Sequence, residues 1–200
     1  MILLRQSFSH LLGCEDLEME EMGTKRLNWG CGPNPIRGWI NSDQKVGPGI
    51  DLSCDIRDGL PLESDSIDYI VSIHAMPEVP YPDLLPVLRE LRRVLKPNGT
   101  LRLSLPDLDK GIQAYLRQDR DYFLIPDDEV SSVGGKLIVQ LIWYGYSRTL
   151  FTYDFIEELL HKAGFRSVRP CRYQETSSLH TEIVELDNRE RESFFVESIK

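Results

Sequence analysis

The apolar positions of the chain fall into short runs and one clear helical repeat, and their order is informative. Arg26-Leu27-Asn28-Trp29 reads as a strand. It is stopped by Gly30-Cys31-Gly32-Pro33-Asn34-Pro35, where glycines and prolines preset a tight turn. Trp39-Ile40-Asn41-Ser42-Asp43 reads as a second strand, and Ile50 to Asp55 as a third, after a Gly-Pro-Gly turn. A fourth, Ile67 to Ile73, carries the β-branched and aromatic residues of a buried strand. From Asp83 to Lys96 the pattern changes. Leu84, Leu88, Leu91 and Leu95 recur at helical spacing beside Val87 and Val94, with Arg89, Glu90, Arg92 and Arg93 on the other face. Pro86 tightens or delays the first turn of this helix. Pro97-Asn98-Gly99 stops it, and Thr100 to Leu105 forms a fifth strand ended by Pro106.

Strands alternating with helices predict parallel β-α units and a doubly wound sheet. Residues 107–150 break that rhythm, with a helix near 109–118, an acidic loop at Asp127-Asp128-Glu129 and an apolar segment from Leu137 to Tyr146. A further helix fits 153–163, with Thr152 as N-cap, Gly164 closing it and Phe165 packing back on the last turn. Closing strands are predicted near Arg166–Tyr173 and Ser193–Ile199, joined by a polar loop and paired antiparallel at the sheet edge. Residues 1–23 read as a short amphipathic extension with Ile2, Leu3, Phe8, Leu11 and Leu12 on its apolar face. The expected organisation is that extension followed by one domain over 24–200, in which 107–150 caps the substrate side.

Composition narrows the classes. Hydrophobic residues at 41% and charged residues at 28% fit a globular protein and argue against disorder. A net charge of −9 with no dense Lys/Arg run leaves little for phosphate backbones or anionic membranes, so no nucleic acid partner is expected. Cys14, Cys31, Cys54 and Cys171 make no CxxC pair, which favours reduced thiols over zinc or disulfides. The N-terminal apolar runs are interrupted by Arg5 and His10 and are too short to span a bilayer. They also lack a signal-peptide pattern. A cytoplasmic protein without membrane insertion or a metal centre is the expectation.

The turn after the first strand is the strongest chemical signal. A glycine turn at the end of a parallel strand lets a ligand approach backbone N–H groups closely. A dinucleotide site asks for G-x-G-x-x-G, but the third glycine position is Pro35. A cofactor without phosphates does not need the helix entry that this proline prevents.

Leu27 to Asn34 resembles the first motif of class I S-adenosylmethionine-dependent methyltransferases, of the type 11-like group. Gly38 to Asp43 resembles the second strand with its terminal acid, and Asp55-Ile56-Arg57-Asp58 with Leu60-Pro61-Leu62 the adenine-side motif. Ser66-Ile67-Asp68 leads into the fourth strand, and Leu91 to Gly99 resembles the helix and turn before the fifth. The resemblance is strong over about residues 25–106 and looser over 150–200, and the order of the motifs is more specific than any one alone. It implies an α/β fold: a Rossmann-like, doubly wound, mostly parallel sheet with an antiparallel last strand and a helical insertion or cap. It also implies S-adenosylmethionine as cofactor and S-adenosylhomocysteine as product. In that frame Asn28, Gly30, Cys31 and Gly32 approach the methionine part. Asp43 accepts from the ribose hydroxyls, Asp55 accepts from the adenine amino group beside Ile56, and His74 lies near the sulfonium. Two departures stand out. The link from Gly32 to Asp43 is short, so the helix after the first motif is reduced or absent. After His74 the chain reads Ala75-Met76-Pro77-Glu78 where related sequences often have leucine, glutamate and histidine.

Several residues carry two readings. His74 is a candidate catalytic base or a pocket-lining histidine, and His10, His161 and His180 read as surface residues. Trp143-Tyr144-Gly145-Tyr146 lines a substrate pocket or packs the cap. Arg148 reads first as a surface charge, and Asp107 is a further candidate at the end of the fifth strand. The leading function is methyl transfer to a small-molecule acceptor. The alternatives are a non-catalytic module that binds the cofactor or its demethylated product, and aminopropyl transfer, for which the acidic pocket motifs are not evident.

Overall fold

The structure is a computed structural model, and it describes residues 23–200. The predicted extension over 1–23 therefore lies, but for its last residue, outside the described residues. The elements are β1 (Arg26–Trp29), β2 (Ile40–Asp43), β3 (Leu52–Ser53), β4 (Ile67–Ile73), α1 (Tyr81–Val94), β5 (Leu95–Pro106), α2 (Leu108–Leu116), α3 (Val133–Ile142), α4 (Tyr153–Ala163), β6 (Arg166–Cys171) and β7 (Ser193–Ile199). They form a seven-stranded sheet in the order β3-β2-β1-β4-β5-β7-β6. Pairs from β3 to β5 are parallel, with Leu27 beside both Ile40 and Ile70. β7 runs antiparallel to both β5 and β6.

Alternation within the strands divides the core. Leu27, Trp29, Ile70, Leu101, Leu103, Leu105 and Val196 face α1 and α4, which present Leu84, Leu88, Leu91, Ile156 and Leu160. The opposite face carries Tyr69 and Val71, covered by Trp39, Ile183 and Leu186. Arg102 also points to this second face and is fully buried. Its guanidinium grips Asp187 with two hydrogen bonds (2.9 and 2.5 Å) and donates to Glu197 at 2.7 Å. It further donates to the carbonyls of Arg172 and Glu175. The segment expected as a polar connecting loop is thus folded against the sheet, with a 3-10 turn at Thr181–Val184. Its apolar anchors are spaced irregularly, and its main tie is a charged residue far away in sequence.

Local chemistry explains the element boundaries. α1 starts at Tyr81, two residues before the predicted Asp83, because Pro80 holds an extended N-cap and Pro82 lies where the missing N–H is harmless. The helix runs through Pro86 and ends at Val94. Leu95 is already extended beside Ile67, so β5 begins before the Pro97-Asn98-Gly99 turn rather than after it. Thr152 occupies the N-cap of α4 but its hydroxyl donates to Asp154, whose carboxylate takes the Phe155 N–H instead. Gly164 closes α4 with a left-handed φ of 95°. The apolar stretch from Leu137 belongs to a helix that starts earlier, at Val133, capped by the Ser132 hydroxyl on the Gly135 N–H.

Candidate active site

The strand order reverses between β1 and β4, and a crevice opens there at the carboxyl ends of the strands. A cavity of about 1150 Å³ fills it, running from the β1–β2 and β2–β3 turns to α3 and the segment after it.

One end is built largely from backbone. Gly30 and Gly32 take φ of 68° and 58°, which glycine adopts without strain. The N–H groups of Gly30 and Cys31 both donate to the Ser42 carbonyl (2.8 and 3.0 Å), pinning the turn to β2. A Cβ on Gly30 would stand 2.2 Å from that of Ala75, whereas one on Gly32 would meet nothing within 4 Å. Gly32 thus leaves open space beside the cavity. Asp43 ends β2, and its oxygens accept from the N–H groups of Gly32 and Lys45, each at 2.9 Å. Each oxygen keeps a lone pair for a ligand hydroxyl. No helix lies between β1 and β2, as the short link predicts.

Asp55 caps the 3-10 turn at Ile56–Asp58 and is clamped by Arg57, with contacts of 3.0 and 2.5 Å. That hydrogen-bonded guanidinium holds the carboxyl down at about 2. Ile56 is buried in the core behind it. Asn28 is buried, lines the cavity, and donates to Asn41 at 3.2 Å. Burial, and then the charge of Asp43, push the Cys31 thiol up to about 11, so it is no nucleophile at neutral pH.

His74 follows β4 in a left-handed conformation with φ of 58°. Its Nε2 lies 2.7 Å from the Ser193 hydroxyl. Burial, and then the nearby Arg189 cation, push it down to about 3, so the ring is neutral at pH 7. Glu78 lines the same wall, its carboxyl raised by partial burial and then by Asp43.

The other end is built from side chains. Gly111 of α2 admits Leu137 and Leu141 of α3 at close range. Leu137, Gln140, Leu141, Trp143 and Tyr146 line the cavity, as does Arg148, whose side chain is exposed at the rim. Trp143 and Tyr144 both take positive φ, 42° and 56°, where the chain turns out of α3. The Arg148 and Thr149 N–H groups donate to the Pro77 carbonyl (2.7 and 3.1 Å), stitching this region to the loop after β4. Asp107 caps α2 through the Lys110 N–H at 3.0 Å and also lines the cavity. Arg189, which the sequence did not single out, lies 5.9 Å over the Trp143 ring, 3.5 Å from Glu192. His161 is exposed on α4, while His180 stacks on buried Tyr69 at 4.9 Å. Among the described residues no helix is long and apolar enough to cross a membrane, and no cluster of His, Cys, Asp and Glu is placed to hold a metal.

A sheet reversing at this point, a glycine turn after β1 and a carboxylate closing β2 define an α/β protein with a ligand crevice at its topological switch point. Residues 30–103 match the family model for a methyltransferase domain. Over that stretch the chain is similar to S-adenosylmethionine-dependent methyltransferases. No curated protein matches the sequence. Solved structures share the fold. A methyltransferase from Archaeoglobus fulgidus is 12% identical, covering 90% of this chain and 87% of that one, with a TM-score of 0.56. A Thermotoga maritima protein described as a possible histamine N-methyltransferase is 17% identical, covering 88% and 82%, with a TM-score of 0.52. A phosphoethanolamine N-methyltransferase from Haemonchus contortus, in complex with phosphomonomethylethanolamine and S-adenosylhomocysteine, is 14% identical, covering 89% of this chain and 49% of that one (TM-score 0.52).

Proposed function

We propose that the protein methylates a small-molecule acceptor held beside the cofactor under residues 107–150. The carrying observation is the cavity. It occupies about 1150 Å³ and is continuous from Gly30 and Asp43 to Trp143 and Tyr146, above the roughly 300–1,000 Å³ of a pocket that takes one drug-sized ligand. The excess is the room the reading assigns to a small acceptor beside the cofactor. The bound cofactor supplies a methyl group on a sulfonium already activated for attack.

The residues then divide the work. The turn from Gly30 through Cys31 to Gly32, with Asn28 behind it, receives the methionine part. Asp43 accepts from the ribose hydroxyls with the lone pairs that Gly32 and Lys45 leave. Asp55, held ionised by Arg57, accepts from the adenine amino group, and Ile56 backs the ring. His74 stands beside the transferring methyl as a neutral hydrogen-bonding wall oriented by Ser193. A group pushed down to about 3 takes up little proton at pH 7, so in-line alignment of the acceptor does most of the work. The region over 107–150 excludes water and selects the acceptor.

Incubation of a cell extract with methyl-labelled cofactor tests this. Label is expected in the dialysable fraction. Label confined to protein or nucleic acid overturns the small-molecule reading.

A further inference from the structure

The segment from Gly30 to Trp39 crosses from β1 to β2 without a helix, yet Pro33, Asn34, Pro35 and Ile36 form one wall of the cavity. Peptide groups there must find partners outside regular structure. Many of those partnerships converge on one side chain. Asn41 is buried, and its Oδ1 accepts from the Ile36 N–H at 2.9 Å and from Asn28 Nδ2 at 3.2 Å. Its Nδ2 donates to the carbonyls of Ile36 (3.0 Å) and Trp39 (3.1 Å) and to Asp51 Oδ2 at 3.3 Å. The Asn41 backbone continues the set, donating to Asp51 Oδ2 at 2.7 Å and accepting from the Asp51 N–H at 2.9 Å.

One amide therefore ties together β1, the crossing segment, β2 and the approach to β3. Neither Asn41 nor Asp51 lines the cavity, while Asn28, Ile36 and Ile50, each bonded or adjacent to them, do. The wall is also coupled to the next loop. A Cβ on Gly49 would stand 2.8 Å from Pro35 Cγ, so a shift of the crossing segment reaches residues 47–50. An amide presents an acceptor to the Ile36 N–H and two donors to the carbonyls and carboxylate around it, the longest contact, to Asp51, sharing a hydrogen.

We infer that Asn41, paired with Asp51, is the positioning residue of the cofactor end, doing with one side chain what a helix after β1 would otherwise do. The inference rests on the assignment of that end to S-adenosylmethionine. Asn41→Asp turns the donors facing Asp51 into acceptors and sets two carboxylates against each other. One of them then holds a proton more tightly, so the defect grows as pH rises.

The test is calorimetric titration of S-adenosylhomocysteine into wild type, Asn41→Asp, the double variant Asn41→Asp/Asp51→Asn, and Asn41→Ser, with melting temperatures measured alongside. At pH 8, Asn41→Asp is expected to bind about tenfold or more weakly and to recover part of that loss towards pH 5.5. The double variant, which removes the second carboxylate but leaves one facing the Ile36 and Trp39 carbonyls, is expected to show a smaller pH dependence. Should Asn41→Asp fail to fold, Asn41→Ser carries the test, with a loss of about tenfold expected. Folded variants that bind as tightly as wild type at both pH values, with only the melting temperature lowered, overturn the positioning role. Absence of binding by wild type itself would instead overturn the cofactor assignment on which the inference rests.

Discussion

The two ends of the cavity are made of different material. The end proposed for the cofactor is mostly backbone: strand ends, a turn with two positive-φ glycines, and N–H groups aimed at Ser42 and Asp43. The end proposed for the acceptor is mostly side chains, brought from α3, from the turn after it and from residues 185–192. A site built from backbone tolerates few sequences, because glycine, proline and a terminal carboxylate each do something other residues cannot. A site built from side chains can be refitted one residue at a time, which suits the part that chooses the acceptor.

The sharpest way to break this contrast is Arg102→Ala. It strips Asp187 and Glu197 of their buried partner, and Asp187 anchors the segment carrying Asn188, Arg189 and Glu192 to the cavity. Leaving buried charges uncompensated costs about 3–5 kcal/mol, to be read from urea unfolding. A loss below about 1 kcal/mol, the value of an exposed pair, would show that the segment holds without this network.

Next in size are the glycines. Gly30→Ala meets both a positive φ and the Ala75 Cβ, so about 2–4 kcal/mol of thermal stability is expected to go. Gly32→Ala has the positive φ but an open surround, and should cost about 1 kcal/mol. Equal losses would mean that the close approach to Ala75 is not a constraint.

His74 predicts a pH slope. Unfolded it titrates near 6.5 and folded near 3, so between those values the unfolded chain binds more protons. Stability therefore rises with pH across that window, and acidification from 6.5 removes at most about 1.4 kcal/mol per pH unit. His74→Gln, which keeps a side chain able to bond Ser193, should flatten the slope by one proton. An unchanged slope would place the titration elsewhere.

The smallest effect sharpens the comparison from the other side. Trp143→Ala should leave S-adenosylhomocysteine affinity within about twofold, well under a hydrogen bond's worth, while lowering methyl transfer. A large fall in affinity would mean that the two ends are not separate.

The same difference decides what was legible in the sequence. The first four strands, the glycine turn and the acids at 43 and 55 depend on neighbours within a few residues, and the strand and turn boundaries were readable to within one or two positions. Arg102 sits in the alternating run of the fifth strand, with nothing local to mark it out. Its partners lie 85 and 95 residues away, and nothing local announces them. Arg189 and the buried face of the 174–192 segment were hidden for the same reason. Asn41 was visible only as a strand residue, since its role depends on how the crossing segment folds back. His180 read as a surface residue because its stacking partner, Tyr69, lies on a distant strand.

The central claim is that the backbone-built end holds S-adenosylmethionine through Asp43. Calorimetric titration of S-adenosylhomocysteine into wild type and Asp43→Ala tests it most directly. One site per chain is expected, weakened roughly 10- to 100-fold by the substitution, the worth of charge-assisted hydrogen bonds to the ribose. Equal binding by both proteins, or none by folded wild type, would contradict it.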